Sequence, residues 1–288
     1  MRREEFASAG RALVEGRLRT LLAGDGRSAL RQAMAEATLS GGRRIRATLV
    51  LLASAAVGGR PDDALPLACA IEMIHAASLA LDDLPAMDDD RERRNAPALH
   101  CRHGEGVAIL TAIALLARAF EIAGDHDRAH GTGTVARLAQ AIGEAGMCGG
   151  QLADLAARRG GGPSAPTAAG LEDLYRAKTG RLMGVACEIG AMAGGGDPAA
   201  HPALAAYGMQ LGIAYQIADD VADRTSDAAD GSANYAILLG APAARARALA
   251  LLDDAYRATV SAGVDAAALH RFARGLLDDR LAELPQTG

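Results

Sequence analysis

Apolar residues recur along this chain at the spacing of helix faces and almost nowhere with the strict alternation of strands. Arg2–Ala23 is periodic, and Ala29–Leu39 repeats the pattern before stopping at Ser40-Gly41-Gly42. Arg43–Val57 opens on the basic run Arg43-Arg44-Ile45-Arg46, and Pro61–Asp83 places apolar residues at Leu67, Ala70, Ile71, Ile74 and Leu81. Gly106–Ala123 is apolar nearly all round, which predicts a central, buried helix. Thr134–Ala145, Gln151–Arg158, Ala168–Ala193, Ala203–Asp223, Pro242–Ser261 and Ala266–Leu284 continue the series. The Gly-rich stretches Arg159–Ser164 and Gly194–Asp197 are short and flanked by helical pattern, so they read as inter-helix loops, not linkers. The expectation is one all-α domain over residues 1–288.

Composition sharpens this. Half of the 288 residues are apolar, yet only 3% are aromatic, with no Trp and three Phe, so alanine and leucine must fill the core. Small side chains let helices approach closely. The net charge of −5 leaves no basic footprint for nucleic acid. Cys69, Cys101, Cys148 and Cys187 stand singly, without metal-type or disulfide-type spacing, and read as small buried hydrophobes in a reducing cytoplasm. Neither a signal-peptide pattern at Met1–Arg17 nor an apolar run of about eighteen residues is evident, which predicts no stable membrane insertion.

Of thirty basic residues, one is lysine, Lys178. Under strong pressure toward arginine, a surviving lysine is a candidate for a position where a compact ammonium is needed and a planar guanidinium does not fit, against chance survival. Its setting, Ala177-Lys178-Thr179-Gly180, predicts a helix break at Gly180.

Two carboxylate clusters end apolar stretches: Asp82-Asp83-Leu84-Pro85-Ala86-Met87-Asp88-Asp89-Asp90, and Asp219-Asp220-Val221-Ala222-Asp223. Carboxylates this dense repel one another, so a fold tolerates them where they are wet or a cation neutralises them. Asp219 and Asp223 are four apart and share a helix face. Asp82 and Asp88 are six apart, about 600° around an ideal helix, and only a local break at Pro85 brings them together. Such clusters suit Mg²⁺ held between protein and a phosphorylated substrate. Arg93-Arg94 follows the first cluster, and Gly41-Gly42-Arg43-Arg44-Ile45-Arg46 sets guanidiniums beside backbone N–H groups, a plausible diphosphate cradle.

With these motifs in place, and with Glu72-Met73-Ile74-His75, Gly149-Gly150-Gln151 and Tyr215-Gln216, the chain resembles the trans-type polyprenyl diphosphate synthases, from about Gly41 to Arg247. The resemblance implies antiparallel helices around a deep central apolar cavity, and a homodimer. It implies condensation of isopentenyl diphosphate with an allylic diphosphate, with three Mg²⁺ ions as cofactor. Asp82, Asp88 and Asp219 would ligate the metal, with Asp83, Asp220 and Asp223 completing the catalytic clusters. Arg93, Lys178 and Gln216 would contact the allylic diphosphate, and Thr179 would steady the developing cation. Arg43, Arg46, His75 and Arg94 would hold isopentenyl diphosphate. Ala77 and Ser78, just before Asp82, would form the floor that sets product length, and their small size implies geranylgeranyl diphosphate. The other histidines (His100, His103, His126, His130, His201 and His270) are read as structural or surface residues.

Three departures stand out. The lysines that family members carry after the second cluster are absent from Arg224–Asn234, where Arg224 is the one basic residue. The family's Gly-Asp pair is Ala112-Ile113, and the proline closing its basic motif is Ala47. A terpene cyclase would not need Arg43, Arg46, His75 and Arg94. A regulatory subunit would be expected to lose aspartates, and both clusters are complete.

Overall fold

The computed structural model describes residues 3–24, 28–156, 167–230 and 234–282, so the loop expected at Arg159–Ser164 lies outside the described residues. The backbone falls into two compact units, Met1–Leu51 with Arg60–Val135, and Leu52–Gly59 with Ala136–Gly288.

The first unit contains α1 (Arg3–Leu22), α2 (Ala29–Leu39), most of α3 (Ile45–Ala56) and α4 (Pro61–Asp82). A short hairpin follows, β1 (Glu92–Arg93) and β2 (Ala96–Pro97), then α5 (Leu99–His103) and α6 (Glu105–His130). Pro61 at the first helical position and Asp62 and Asp63 in the first turn suit the N-terminus of α4. The helix α6 packs along α4 and buries Ala108, Thr111, Ala112, Leu115, Ala119 and Ile122, one stripe at three-to-four spacing. Its opposite face corrects the expectation of a helix buried all round: Ile109, Leu110 and Ile113 are 40%, 58% and 56% exposed. By length and composition α4 and α6 could each cross a bilayer, contrary to the sequence reading, although 67% of the apolar stretch of α4 is buried within the protein.

The second unit holds most of α7 (Thr134–Ile142), with α8 (Met147–Ala156), α9 (Ala168–Tyr175), a π-helical turn Arg176–Gly180 and α10 (Arg181–Ala193). A 3-10 turn Pro198–Ala200 leads into α11 (His201–Asp230), followed by α12 (Tyr235–Leu239), α13 (Ala241–Ser261) and α14 (Ala267–Ala282). Glycines let α10 and α11 touch. A Cβ on Gly208 would sit 2.3 Å from the Met183 carbonyl oxygen, and one on Gly212 would sit 2.6 Å from the Gly180 Cα. Gly180 therefore does not break the helix as expected. The helix widens into a π turn there and continues. Likewise α11 runs to Asp230, so the second aspartate cluster lies inside a helix and does not end it.

Cys69 and Cys187 fit their reading, buried with thiols pushed up to about 12 by desolvation, but Cys101 and Cys148 are exposed. His103 meets Glu36 at 2.8 Å and His201 the Gly196 carbonyl at 3.1 Å, while His270 stacks on Tyr256.

Candidate active site

The first aspartate cluster begins where α4 ends. Asp83 caps the helix, and the chain then folds back on itself: the Met87 N–H donates to the Leu84 carbonyl at 2.8 Å and the Asp88 N–H to the Asp82 carbonyl at 2.9 Å. The break at Pro85 thus closes the gap between Asp82 and Asp88, which lie half-buried at the two ends of one small loop. Asp83 is buried and pairs with Arg93, which also binds Asp90 at 2.8 Å. Burial raises the Asp83 pKa and Arg93 partly offsets it.

Arg93 and Arg94 are aimed by the hairpin. Arg94 and Asn95 both have positive φ (56° and 62°), as a two-residue type I′ turn requires, so the two strands meet through Arg93 and Ala96. Arg94 Nη1 then donates to the Gly41 carbonyl at 2.6 Å. Gly42 has φ +106°, which favours glycine, and a Cβ there would lie 2.7 Å from the Arg94 guanidinium carbon and displace that side chain.

The basic loop after Gly42 is anchored from below. Arg44 is 4% exposed and Glu72 3%; Arg44 Nη1 donates to Glu72 Oε2 at 3.4 Å, and the Ala47 N–H to Glu72 Oε1 at 3.1 Å. Arg43 stays exposed, while Arg46 Nη1 donates to His75 Nε2 at 3.1 Å. Burial drives the His75 pKa well below its usual value, and Arg46, Arg94, Arg93 and Arg44 push it the same way. A neutral imidazole among four guanidiniums is a place prepared for an anion.

In the second unit the π turn carries Lys178 and Thr179. A Cβ on Gly150 of α8 would lie 2.6 Å from the Lys178 backbone nitrogen, so Gly150 on one side and Gly212 on the other clamp the turn. Lys178 Nζ meets Asp154 Oδ2 at 2.6 Å, and the Thr179 hydroxyl donates to Gln216 Oε1 at 3.0 Å. Sequence reasoning missed Asp154, which lies one helical turn beyond Gly150. A π turn inside a helix is rare and marks functional positions often enough to support the lysine's assignment.

On α11, Asp219 and Asp223 do share a face, and one guanidinium spans them. Arg280 of α14 pairs with Asp219 through Nε and with Asp223 through Nη2, the latter at 3.0 Å. Asp220 points elsewhere. Its carboxylate is buried and accepts the Tyr175 hydroxyl and, at 2.7 Å, the Tyr235 N–H, while Asn234 donates to its carbonyl at 2.8 Å. Asp220 is thereby tied to α9 and the start of α12, which sets it apart from Asp219 and Asp223.

The polyprenyl synthetase family model matches residues 27–234, which takes in every motif just described except Arg280. The chain belongs to this family. It is 37% identical to the farnesyl diphosphate synthase of Geobacillus stearothermophilus, over 92% of this chain and 94% of that one. It is 34% identical to the geranylgeranyl diphosphate synthase of Pantoea ananas, over 93% and 92%. A solved FPP/GFPP synthase of Zymomonas mobilis superimposes with a TM-score of 0.84 at 33% identity, covering 96% of this chain and 100% of that one. This polyprenyl synthetase is accordingly a trans-prenyltransferase of the farnesyl/geranylgeranyl diphosphate synthase type.

Of the two residues expected to form the length-setting floor, Ala77 is fully buried at 0% exposure and Ser78 is partly exposed, with its hydroxyl donating to the His75 carbonyl at 2.9 Å. Of the two, only Ser78 is partly exposed.

Proposed function

We propose that this polyprenyl synthetase condenses isopentenyl diphosphate with allylic diphosphates, chiefly to geranylgeranyl diphosphate, with Mg²⁺ as cofactor and as a homodimer. The observation that carries the isopentenyl side is the neutral His75 held among Arg44, Arg46, Arg93 and Arg94. Arg44 is held by Glu72 and Arg93 by Asp83, and cations fixed in this way beside a neutral imidazole suit a diphosphate that must stay intact while its alkene attacks.

Mg²⁺ suits the aspartates. Among the described residues no three His, Cys, Asp or Glu side chains form a ready metal cluster. An ion held by one or two carboxylates plus phosphate oxygens asks only for single aspartates such as these. A cation also already fits the second pair, as the Arg280 guanidinium shows. Asp82, Asp88 and Asp219 would each hold metal, which would supply positive charge to a leaving diphosphate. Lys178, on its clamped turn, adds a point charge to the allylic diphosphate, and Thr179, held by Gln216, presents its oxygen to the allylic cation. The allylic C–O bond breaks, the isopentenyl double bond supplies the electrons of the new C–C bond, and the departed diphosphate takes the proton.

Product length rests on the absence of bulk before Asp82, where Ala76, Ala77 and Ser78 stand. Each further isoprene unit gains burial at about 25 cal/mol per Å² of apolar surface. The exposed Ile109, Leu110 and Ile113 stripe of α6 gives a second copy an apolar face to cover. Sizing the products made from isopentenyl diphosphate and dimethylallyl, geranyl or farnesyl diphosphate tests the assignment. Twenty-carbon product from all three supports it, and arrest at fifteen carbons overturns it.

A further inference from the structure

Arg280 belongs to no motif of the sequence, yet it pairs with both Asp219 and Asp223. Two carboxylates one helical turn apart repel, and the chain meets that repulsion with a side chain more than fifty residues away. The guanidinium fits where an ammonium would not: Nε serves Asp219 and Nη2 serves Asp223, one nitrogen per carboxylate. The arrangement is exchangeable. The Arg280 and Asp219 side chains are each 24% exposed and that of Asp223 is 49% exposed, so water screens the pair and its net worth is small. Arginine cannot leave by losing its proton, so only competition removes it.

We propose that Arg280 is the counter-ion of the Asp219–Asp223 pair in the metal-free enzyme and yields that pair to Mg²⁺, so that metal loading is coupled to release of the C-terminal turn of α14. The inference rests on the reading of Asp219 as a metal ligand. Mg²⁺ brings two charges and accepts oxygen donors that the guanidinium must then give up. Because coupling is reciprocal, whatever holds the end of α14 in place weakens metal binding, and metal loosens the end of α14. Freed, the guanidinium stays tethered beside a charged site whose following segment is lysine-free.

The test uses substrate-free protein with Mn²⁺ as the probe, its free fraction read by electron paramagnetic resonance. Arg280→Gln is expected to tighten Mn²⁺ binding about twofold to fivefold, the range of a partly exposed ion pair. Arg280→Lys should fall between it and the wild type. In the wild-type protein, Mn²⁺ should speed hydrogen exchange in the last turn of α14. Affinity that is equal or weaker in Arg280→Gln, or α14 exchange indifferent to Mn²⁺, overturns the proposal. Asp219→Asn separates this from the premise. It should abolish the competition, and if it binds Mn²⁺ as the wild type does, the assignment of Asp219 to metal is what has failed.

Discussion

Arg46 donates to His75 Nε2 at 3.1 Å, and because a guanidinium can only donate, that contact fixes His75 as the neutral tautomer with its proton on Nδ1. The folded pKa lies well below 6.5, whereas the unfolded chain takes up the proton near 6.5. Below that pH the unfolded state binds more protons. The stability associated with neutral His75 is therefore complete above about pH 6.5 and is lost as pH falls. Nitrogen-15 spectra should show His75 untitrated near pH 6, and inorganic diphosphate should raise its pKa by offsetting the four arginines. A free-protein titration centred at 6.5 would remove the basis for placing an anion there.

Glu72 should matter as much as any arginine it supports. It is buried against Arg44 and the Ala47 N–H, so Glu72→Ala leaves the buried Arg44 guanidinium with Glu15 alone, at 3.5 Å, and should cost up to about 3 kcal/mol in denaturant unfolding. The loop carrying Arg43 and Arg46 would lose its anchor. Variant enzyme measured below its unfolding transition should therefore show KM for isopentenyl diphosphate raised more than kcat is lowered. An unchanged unfolding free energy would show that the pair is not what holds the loop.

Lys178→Arg preserves charge but not shape. The π turn, its backbone packed against Gly150 and Gly212, brings the ammonium to 2.6 Å from Asp154. Turnover should fall by about tenfold or more, as when a preorganised donor is misplaced. Amine-directed labelling should mark this side chain, and allylic diphosphate should protect it. Full activity in the arginine variant would show that the lone lysine carries no special role.

The burial difference between Ala77 and Ser78 separates two variants that sequence alone treats alike. Ser78→Phe starts from a partly exposed position and should shift product from twenty toward fifteen carbons. Ala77→Phe enters a closed position and should instead destabilise by about 1–3 kcal/mol. An unchanged product profile in Ser78→Phe would place the floor elsewhere.

The parts of the site that lie close together in sequence were legible there. The aspartate clusters, the Gly-Gly-arginine loop and the Pro85 break each depend on neighbours within about a turn, and the Asp88–Asp82 backbone bond closes as the spacing required. The partners that complete them come from elsewhere. Asp154 for Lys178, Glu72 for Arg44 and Arg280 for Asp219 are tertiary choices with no local signal. The hairpin behind Arg93 was missed because two-residue strands have no periodicity, although Asn95 is a turn residue in the left-handed region. The all-round apolarity of α6 showed a helix needing cover on every side but not that its own chain leaves Ile109, Leu110 and Ile113 exposed. Gly180 looked like a break because a glycine that frees the backbone and one that admits a neighbouring helix read alike in sequence.

The central claim is that this chain joins two diphosphates with metal assistance, and product stoichiometry tests it most directly. Pure protein with Mg²⁺, isopentenyl diphosphate and farnesyl diphosphate should release one inorganic diphosphate for each isopentenyl unit consumed. That release should vanish in excess chelator and fall by orders of magnitude in Asp82→Ala. Diphosphate released from farnesyl diphosphate with no isopentenyl diphosphate consumed would mark a cyclase, and no turnover with any allylic partner would mark a subunit that depends on another chain; either result contradicts the account.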